Sequence, residues 1–175
     1  MSNVYLASLV VGCGGEYTAP VRQSRTKGVH FMAEQDNLQV SKQAIAAINA
    51  HDIDTYLKHI DESYVGESET VGVVHGRDGA RQAMTTMFQA FPDFQIEVEQ
   101  IMASGDHVVT RAFLTGTHKG SFAGIAPTNK KVSWHGCNVV ELRKGKMIRS
   151  RIYADNVSLF RQLGGLPVPK ATTAG

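Results

Sequence analysis

Apolar and polar positions follow two different periods along this chain, and the change of period separates helices from strands. Apolar residues recur at helical spacing over about residues 38–50, 53–60 and 78–90. Asp52 and Asp78 stand where the second and third of these segments would begin, and a carboxylate there accepts the free backbone N–H groups of a first helical turn. The first half of the chain is therefore predicted to hold three helices, two of them capped by aspartate.

After Pro92, which ends the third helix, the period changes to two. Alternation of this kind is typical of strands with one buried and one wet face. Strands joined by short turns pair antiparallel, and the apolar face of the sheet is predicted to be covered by the helices. The predicted elements are a short extended segment at Tyr64-Val65, strands over residues 94–101, 107–117, 131–143 and 146–153, and a terminal helix over 156–163.

Two glycines inside strands, Gly116 and Gly136, are predicted to make the sheet curl. The predicted fold class is α+β, a cone-shaped barrel in which a curved antiparallel sheet wraps around the N-terminal helices and encloses a pocket. Residues 34–166 are predicted to form this domain. Residues 1–33 are predicted to be a disordered or adventitious leader, and residues 167–175 a flexible tail.

The composition suits one globular domain and narrows the class of ligand. The chain of 175 residues is 42% hydrophobic with a net charge of +2, and its basic runs are short, which argues against nucleic acid as a partner. Cys13 and Cys137 lack metal-ligand spacing, and no apolar run is long enough to cross a membrane. The segment before Cys13 faintly resembles a lipoprotein cleavage box, but no basic residue precedes Arg22, so a cytoplasmic location is predicted.

Five motifs follow one another in order over about residues 36–166. They are Ala47-Ile48-Asn49-Ala50-His51-Asp52, Gly76-Arg77-Asp78-Gly79, Ala90-Phe91-Pro92-Asp93, Gly116-Thr117-His118-Lys119-Gly120 with Gly124-Ile125-Ala126-Pro127-Thr128, and Asp155 with Arg161-Gln162-Leu163-Gly164. Together they resemble SnoaL-like proteins, the polyketide cyclase branch of the nuclear transport factor 2-like superfamily. The resemblance implies a homodimer of α+β barrels, each with a deep cavity for a small apolar or aromatic molecule and no metal or organic cofactor.

The same resemblance implies ring closure by intramolecular aldol condensation. In such cyclases an Asp on the last strand is the acid/base, and a His on the preceding strand assists it. At the corresponding positions this chain has Ile152 and Asn138. The resemblance therefore implies the fold and pocket of a cyclase, with a different pair of side chains at the reacting positions.

Three residues are predicted to be catalytic: His118, Asp155 and Asn138. Alternation on the second long strand puts His118 on the inner face, at the expected cavity mouth, where Asp155 could fix its tautomer. Asn138 is an amide among apolar neighbours and suits a carbonyl or an oxyanion. Structural alternatives stand beside these roles, since His118 could bond a neighbouring backbone group and Asp155 could cap the terminal helix.

A second group is predicted to contact the substrate: Trp134, Phe88, Met84, Glu67 and Ile152. Packing or a dimer contact is the alternative for Trp134, and an exposed loop charge is the alternative for Glu67. The leading hypothesis is a SnoaL-like enzyme that performs cofactor-independent acid/base chemistry, either cyclisation or isomerisation, on a polyketide-like or other carbonyl compound. The alternatives are a non-catalytic protein that binds a small apolar ligand and an interaction module whose cavity is filled by core side chains.

Overall fold

The computed structural model describes residues 27–166, with side chains described from residue 33 onwards. The predicted tail, 167–175, and most of the predicted leader lie outside the described residues, although α1 already begins at Lys27. The helices are α1 (Lys27–Asn49), α2 (Ile53–Leu57), α3 (Gly76–Ala90) and α4 (Asn156–Leu163), and the strands are β1 (Ile60–Ser68), β2 (Gly72–His75), β3 (Gln95–Ser104), β4 (His107–Thr117), β5 (Lys131–Arg143) and β6 (Lys146–Ala154).

The strands form one six-stranded sheet in the order β2-β1-β6-β5-β4-β3. Each strand from β3 to β6 pairs antiparallel with the next, as the alternating pattern predicts. β1 pairs antiparallel with β2 but parallel with β6, so the sheet is mixed. The predicted α+β class, with helices on a curved sheet, is confirmed, and the sheet remains open because β2 and β3 are its two edges.

The first two strands are the part of the fold that the sequence pattern indicates least, since only the extended segment at Tyr64-Val65, inside β1, is predicted. α2 ends at Leu57 and β1 begins at Ile60, whereas a helix is predicted through Ile60, and β2 is not predicted at all. The start of β1 is polar, so its alternation is weak. It forms a strand because β6, from the far end of the chain, offers a row of backbone partners.

The two aspartates predicted to cap helices behave differently. Asp52 accepts a hydrogen bond from the backbone N–H of Thr55 at 2.9 Å and caps α2, as predicted. Asp78 is not a cap, because α3 begins earlier, at Gly76, with His75 in the cap position and no side-chain hydrogen bond there. Asp78 instead lies in the first turn of α3, where a negative charge interacts favourably with the helix dipole.

The long helices lie mainly over the two sides of the sheet. α1 packs on β3 and β4, α3 packs on β1 and β2, and α4 contacts β5. The helices thus lie over both halves of the sheet. Among the described residues, no helix combines the length and the apolar character needed to cross a membrane.

Two separate clusters of buried apolar side chains occupy opposite ends of the concave face. Both ends of β5 contribute, with Val140 and Leu142 in one cluster and Val132 and Trp134 in the other. The first cluster, here called the lower core, also contains Ala44, Leu57, Ile60, Tyr64, Ala80, Val108 and Met147. The second, the upper core, also contains Ala90, Phe91, Phe94, Phe122, Leu159 and Leu163.

Asn49, at the end of α1, joins this helix to the edge strand β3. Its side-chain amide donates to the carbonyl of Ile96 at 2.9 Å and accepts from the N–H of the same residue at 2.8 Å. These backbone groups face away from β4 at the sheet edge, where they would otherwise be free to pair with another strand. The asparagine therefore supplies hydrogen-bond partners to the free backbone groups of this edge strand and attaches α1 to it.

We expect Asn49→Ala to lower the free energy of unfolding by about 2 kcal/mol, because two backbone groups lose their hydrogen-bond partner. Denaturant unfolding followed by circular dichroism measures this change. Gln43→Ala, at an exposed position of the same helix, is the matched control for the loss of a polar side chain. Equal stability losses in the two variants would contradict the role given to Asn49.

Candidate active site

A row of small side chains crosses the sheet between the lower and upper cores. The register aligns Val98 with Ala112, Ala112 with Gly136 and Gly136 with Ala154 across four strands. Residues directly opposite one another in a sheet point to the same face. Ala112 is buried on the concave side, and Val98 shares that side yet remains 38% exposed. The strip between the two cores, here called the gap, is therefore lined by small side chains and is open to solvent at its Val98 edge.

Asn138 and Ile152 lie in the next row of the same face. They are directly opposite each other on β5 and β6, and Thr110 on β4 is opposite Asn138. Ile152 is 39% exposed even though the concave side is otherwise packed by core residues. These two side chains thus border the gap, with Ile152 exposed and Asn138 half-buried.

A buried hydroxyl group contacts Asn138 from the side of the lower core. Ser150 donates a hydrogen bond from Oγ to Oδ1 of Asn138 at 2.8 Å. Tyr64 is buried in the lower core, and Tyr56 packs against it. Burial raises the pKa of both tyrosine hydroxyls, so each remains protonated at neutral pH and can donate a hydrogen bond.

His118 lies at a different place from the predicted cavity mouth. Its side chain is fully buried and packs on Phe91 in the upper core, with ring centroids 5.3 Å apart. Nδ1 accepts from the backbone N–H of Thr128 at 3.2 Å and lies 3.1 Å from the hydroxyl of that residue. An accepting Nδ1 leaves the proton on Nε2, which is buried without a hydrogen-bond partner in the described part of the chain.

Asp155 is exposed at the start of α4 and caps this helix. Its carboxylate accepts from the backbone N–H of Ser158 at 2.9 Å. Within residues 27–166 no ion pair joins it to His118, so the predicted pairing of the two does not form. For both residues, the structural alternative accounts for the contacts that are observed.

The segment Gly116 to Gly120 closes the C-terminal end of α3. The backbone N–H groups of Lys119 and Gly120 both donate to the carbonyl of Ala90, at 2.8 and 3.1 Å. A Cβ atom on Gly116 would lie 2.9 Å from Cβ of Phe91, and one on Gly120 would meet the backbone of α3. The glycines are therefore needed for close approach, and the motif holds α3 against the sheet.

Two of the predicted substrate-contact residues, Trp134 and Phe88, belong to the upper core or pack against it, and a third lies on α3. Trp134 is on the concave face but only 4% exposed, between Phe91 and Phe94 at centroid distances of 5.6 and 6.0 Å. Phe88 stacks on His51 at 4.3 Å and packs against the upper core. The third residue, Met84, is partly buried on α3.

Glu67 lies on the convex face of the sheet. Gly66 is opposite Ser150 on the concave face, so the next residue of β1 points the other way. The Glu67 carboxylate pairs with Arg149 at 2.6 Å and with Arg151 at 3.3 Å. Glu67 is thus neither inside the pocket, as predicted, nor an unpaired loop charge, as in the alternative.

A separate cleft of about 360 Å³ opens beside α2 and α3. It contains an ion pair between Arg81 and Asp54 at 2.6 Å and shares no residue with the gap on the concave face. Its charged lining is unsuited to an apolar ligand. In the described part of the chain, His, Cys, Asp and Glu side chains form no group of three or more that could hold a metal ion.

Ser150 is a site residue that the sequence analysis does not single out. It carried a usable signal, because it precedes Ile152 by two positions and must share its face.

A family model and two similar solved structures relate the chain to the same group of proteins. The model of the SnoaL-like polyketide cyclase family matches residues 38–163. AclR from Streptomyces galilaeus, a suggested hydroxylase, is 34% identical, aligns over 78% of this chain and 87% of its own, and has a TM-score of 0.70. IdmH from Streptomyces antibioticus, a suggested polyketide cyclase, is 27% identical over 73% and 98% of the two chains, with a TM-score of 0.64.

A solved structure with lower sequence identity is similar to the chain in its fold. A protein with a ketosteroid isomerase-like fold from Catenulispora acidiphila, solved with trimethylamine, is 15% identical over 74% and 94% of the two chains, with a TM-score of 0.63. No curated protein matches the chain.

We expect His118 to make the stability of the protein depend on pH. Burial lowers the pKa of this imidazole, so the folded state favours the neutral form. The unfolded chain binds a proton near the ordinary histidine pKa of about 6.5, so stability present at neutral pH is lost as the pH falls below that value. In His118→Phe the fall in unfolding free energy between about pH 7.5 and about pH 5 should be shallower.

Urea unfolding at several pH values measures this slope. His75→Gln removes an exposed histidine and is expected to leave the slope as in the wild type. A His118→Phe variant with the full wild-type slope would show that this buried imidazole is not responsible.

Proposed function

This chain belongs to the SnoaL-like polyketide cyclase family, and we propose that it is an enzyme that cyclises or isomerises a polyketide-like carbonyl compound by cofactor-independent proton transfer. The proposal takes the concave gap as the substrate pocket and Asn138 as the group that binds the reacting carbonyl oxygen. Ile152 and the small row supply apolar contact with the rest of the molecule. The family match and the 34% identical relative support a small-molecule enzyme of this fold.

The hydrogen bond from Ser150 to Asn138 is the observation that supports this proposal most directly. It occupies Oδ1 of the asparagine, so the amide NH₂ group is available to a ligand. The site is bordered by apolar core, and a hydrogen-bond donor in such surroundings stabilises a developing negative charge more strongly than it would in water. Asn138 is therefore suited to an enolate or alkoxide oxygen.

Aldol ring closure is chemically balanced without an oxidant or a reductant. A C–H bond next to one carbonyl breaks, a carbon–carbon bond forms to a second carbonyl carbon, and the proton returns to the oxygen of that second carbonyl. In the described strand residues at the middle of the concave face, no carboxylate or imidazole is present. We assign proton transfer to water entering through the open face, with Asn138 making the C–H bond more acidic by stabilising the enolate.

Hydroxylation of a similar substrate is a second candidate, favoured by the suggested hydroxylase AclR and by Ile152 at the position of the cyclase acid/base. Such a reaction adds an oxygen atom and needs dioxygen and a reductant, whereas aldol addition leaves the mass of the substrate unchanged. A non-catalytic protein of the same fold would bind the compound and release it unaltered. Liquid chromatography coupled to mass spectrometry, after incubation with aromatic polyketide esters in the presence of dioxygen and a reductant, separates the three functions. A cyclised or isomerised product elutes at a new position with unchanged mass, a hydroxylated product gains the mass of one oxygen atom, and an unaltered compound keeps both its elution position and its mass.

We expect Asn138→Ala to lower kcat about a hundredfold, as loss of one oxyanion donor does in other enzymes. Steady-state kinetics on a polyketide ester that the wild type converts measures the change. Val139→Ala, at the next position on β5 and on the opposite face, is the matched control and should keep wild-type kcat. Unchanged turnover in Asn138→Ala would remove this residue from the mechanism.

A further inference from the structure

The cleft beside α2 and α3 lies where three segments of the chain meet. α2 ends at Leu57, α3 begins at Gly76 and β6 begins at Lys146, and residues from all three regions line the cleft. Its lining combines four basic with two acidic side chains, namely Lys58, Arg77, Arg81 and Lys146 with Asp54 and Asp78. The lining therefore carries an excess of two positive charges, as large as the net charge of the whole chain.

Two of the basic side chains are held in place by backbone carbonyl groups at the start of β1. Nζ of Lys146 donates a hydrogen bond to the carbonyl of Lys58, and Nε of Arg77 donates one to the carbonyl of Ile60 at 3.0 Å. A neutral carbonyl positions a cation without cancelling its charge. Arg77 keeps the N–H donors of its two terminal nitrogens, and Lys146 keeps two of its three.

Carboxylates neutralise only part of the charge in the cleft. Asp54 pairs with Arg81 at 2.6 Å. Within residues 33–166, no ion pair joins Lys146 or Arg77 to a carboxylate. Like charges held close together repel one another, so an anion bound between them lowers the energy of the arrangement.

The nearby His59 responds to the same charges. Burial lowers the pKa of its imidazole, and the charges of Lys146 and Lys58 lower this pKa further. Both ammonium groups thus act on the same region beside the cleft, as a common anionic ligand requires.

We propose that this cleft binds the dianionic phosphate group of a soluble phosphate monoester. An arginine guanidinium offers parallel N–H donors that match two oxygens of one phosphate, and a lysine adds a compact positive charge. A dianion balances the excess of two charges, whereas a carboxylate or a phosphodiester leaves one of them uncompensated. None of the large exposed apolar side chains among residues 33–166 lines the cleft, which favours a soluble ester over a lipid headgroup.

The proposed phosphate site is independent of the reaction proposed for the concave gap. The cleft and the gap share no residue, so both can be occupied at the same time. Loss of turnover in a variant of the gap would leave phosphate binding as it is, and absence of phosphate binding would leave the proposed reaction as it is.

Methyl phosphate and methyl sulfate test the proposal, because they have nearly the same shape and differ by one negative charge at about pH 8, above the second phosphate pKa of about 6. Amide chemical shifts of the full-length protein, followed by NMR titration at constant ionic strength, give both the affinity and the location. We expect methyl phosphate to bind about tenfold more tightly than methyl sulfate and to shift the amide signals of Lys58, Arg77 and Lys146.

Three substitutions separate a built site from general attraction to a basic surface. Lys146→Gln keeps a donor for the Lys58 carbonyl but loses the charge, and should weaken methyl phosphate binding about tenfold. Asp78→Asn removes a repelling carboxylate from the lining and should strengthen binding about threefold. Lys119→Gln removes an exposed positive charge at the opposite end of α3 and should keep the wild-type affinity.

The proposal is overturned by equal affinity for methyl phosphate and methyl sulfate, by amide shifts confined to other regions, or by equal losses in Lys146→Gln and Lys119→Gln. Sedimentation with phosphatidylcholine vesicles that contain phosphatidic acid tests a lipid as the source of the same phosphate group. We expect the protein to stay in the supernatant. Vesicle binding that methyl phosphate does not displace would overturn the assignment to a soluble ester.

Discussion

The proposed pocket depends on small side chains at the middle of a curved sheet. Ala112, Gly136 and Ala154 lie in one row across three strands, between the lower and upper cores. A Cβ atom on Gly136 would already lie 3.1 Å from Cδ1 of Leu114. A larger side chain at this position would therefore collide with Leu114, which packs against the upper core.

The polar group on which the proposed chemistry depends is held by a single buried hydrogen bond. Ser150 donates to Asn138 at the border of the lower core, where an unpaired hydroxyl would be costly. The proposal uses the remaining hydrogen-bonding capacity of Asn138. The surroundings of low polarity strengthen any charge interaction made there. The chemistry proposed for the pocket thus follows from its hydrogen bonds more than from a titrating acid or base.

The motifs that resemble the family mainly build the frame around the pocket. Lys119 and Gly120 close the end of α3, Asp155 caps α4, and Asn49 attaches α1 to the edge of the sheet. His118, within the same motif, is enclosed in the upper core. Family membership therefore determines the shape of the protein, whereas the reaction depends on the side chains that border the gap.

The sequence by itself determined the features that neighbouring residues control. The strands β3 to β6, the faces of Asn138 and Ile152, and the caps at Asp52 and Asp155 all follow from local periodicity or from hydrogen bonds between residues three positions apart. Only the tertiary structure decided that β1 pairs with β6, that Ser150 bonds Asn138, and that Thr128 holds His118 in the core. Such partners are brought together by strand register and loop closure. A periodic pattern specifies which face a side chain occupies, but it does not specify which distant residue lies beside it.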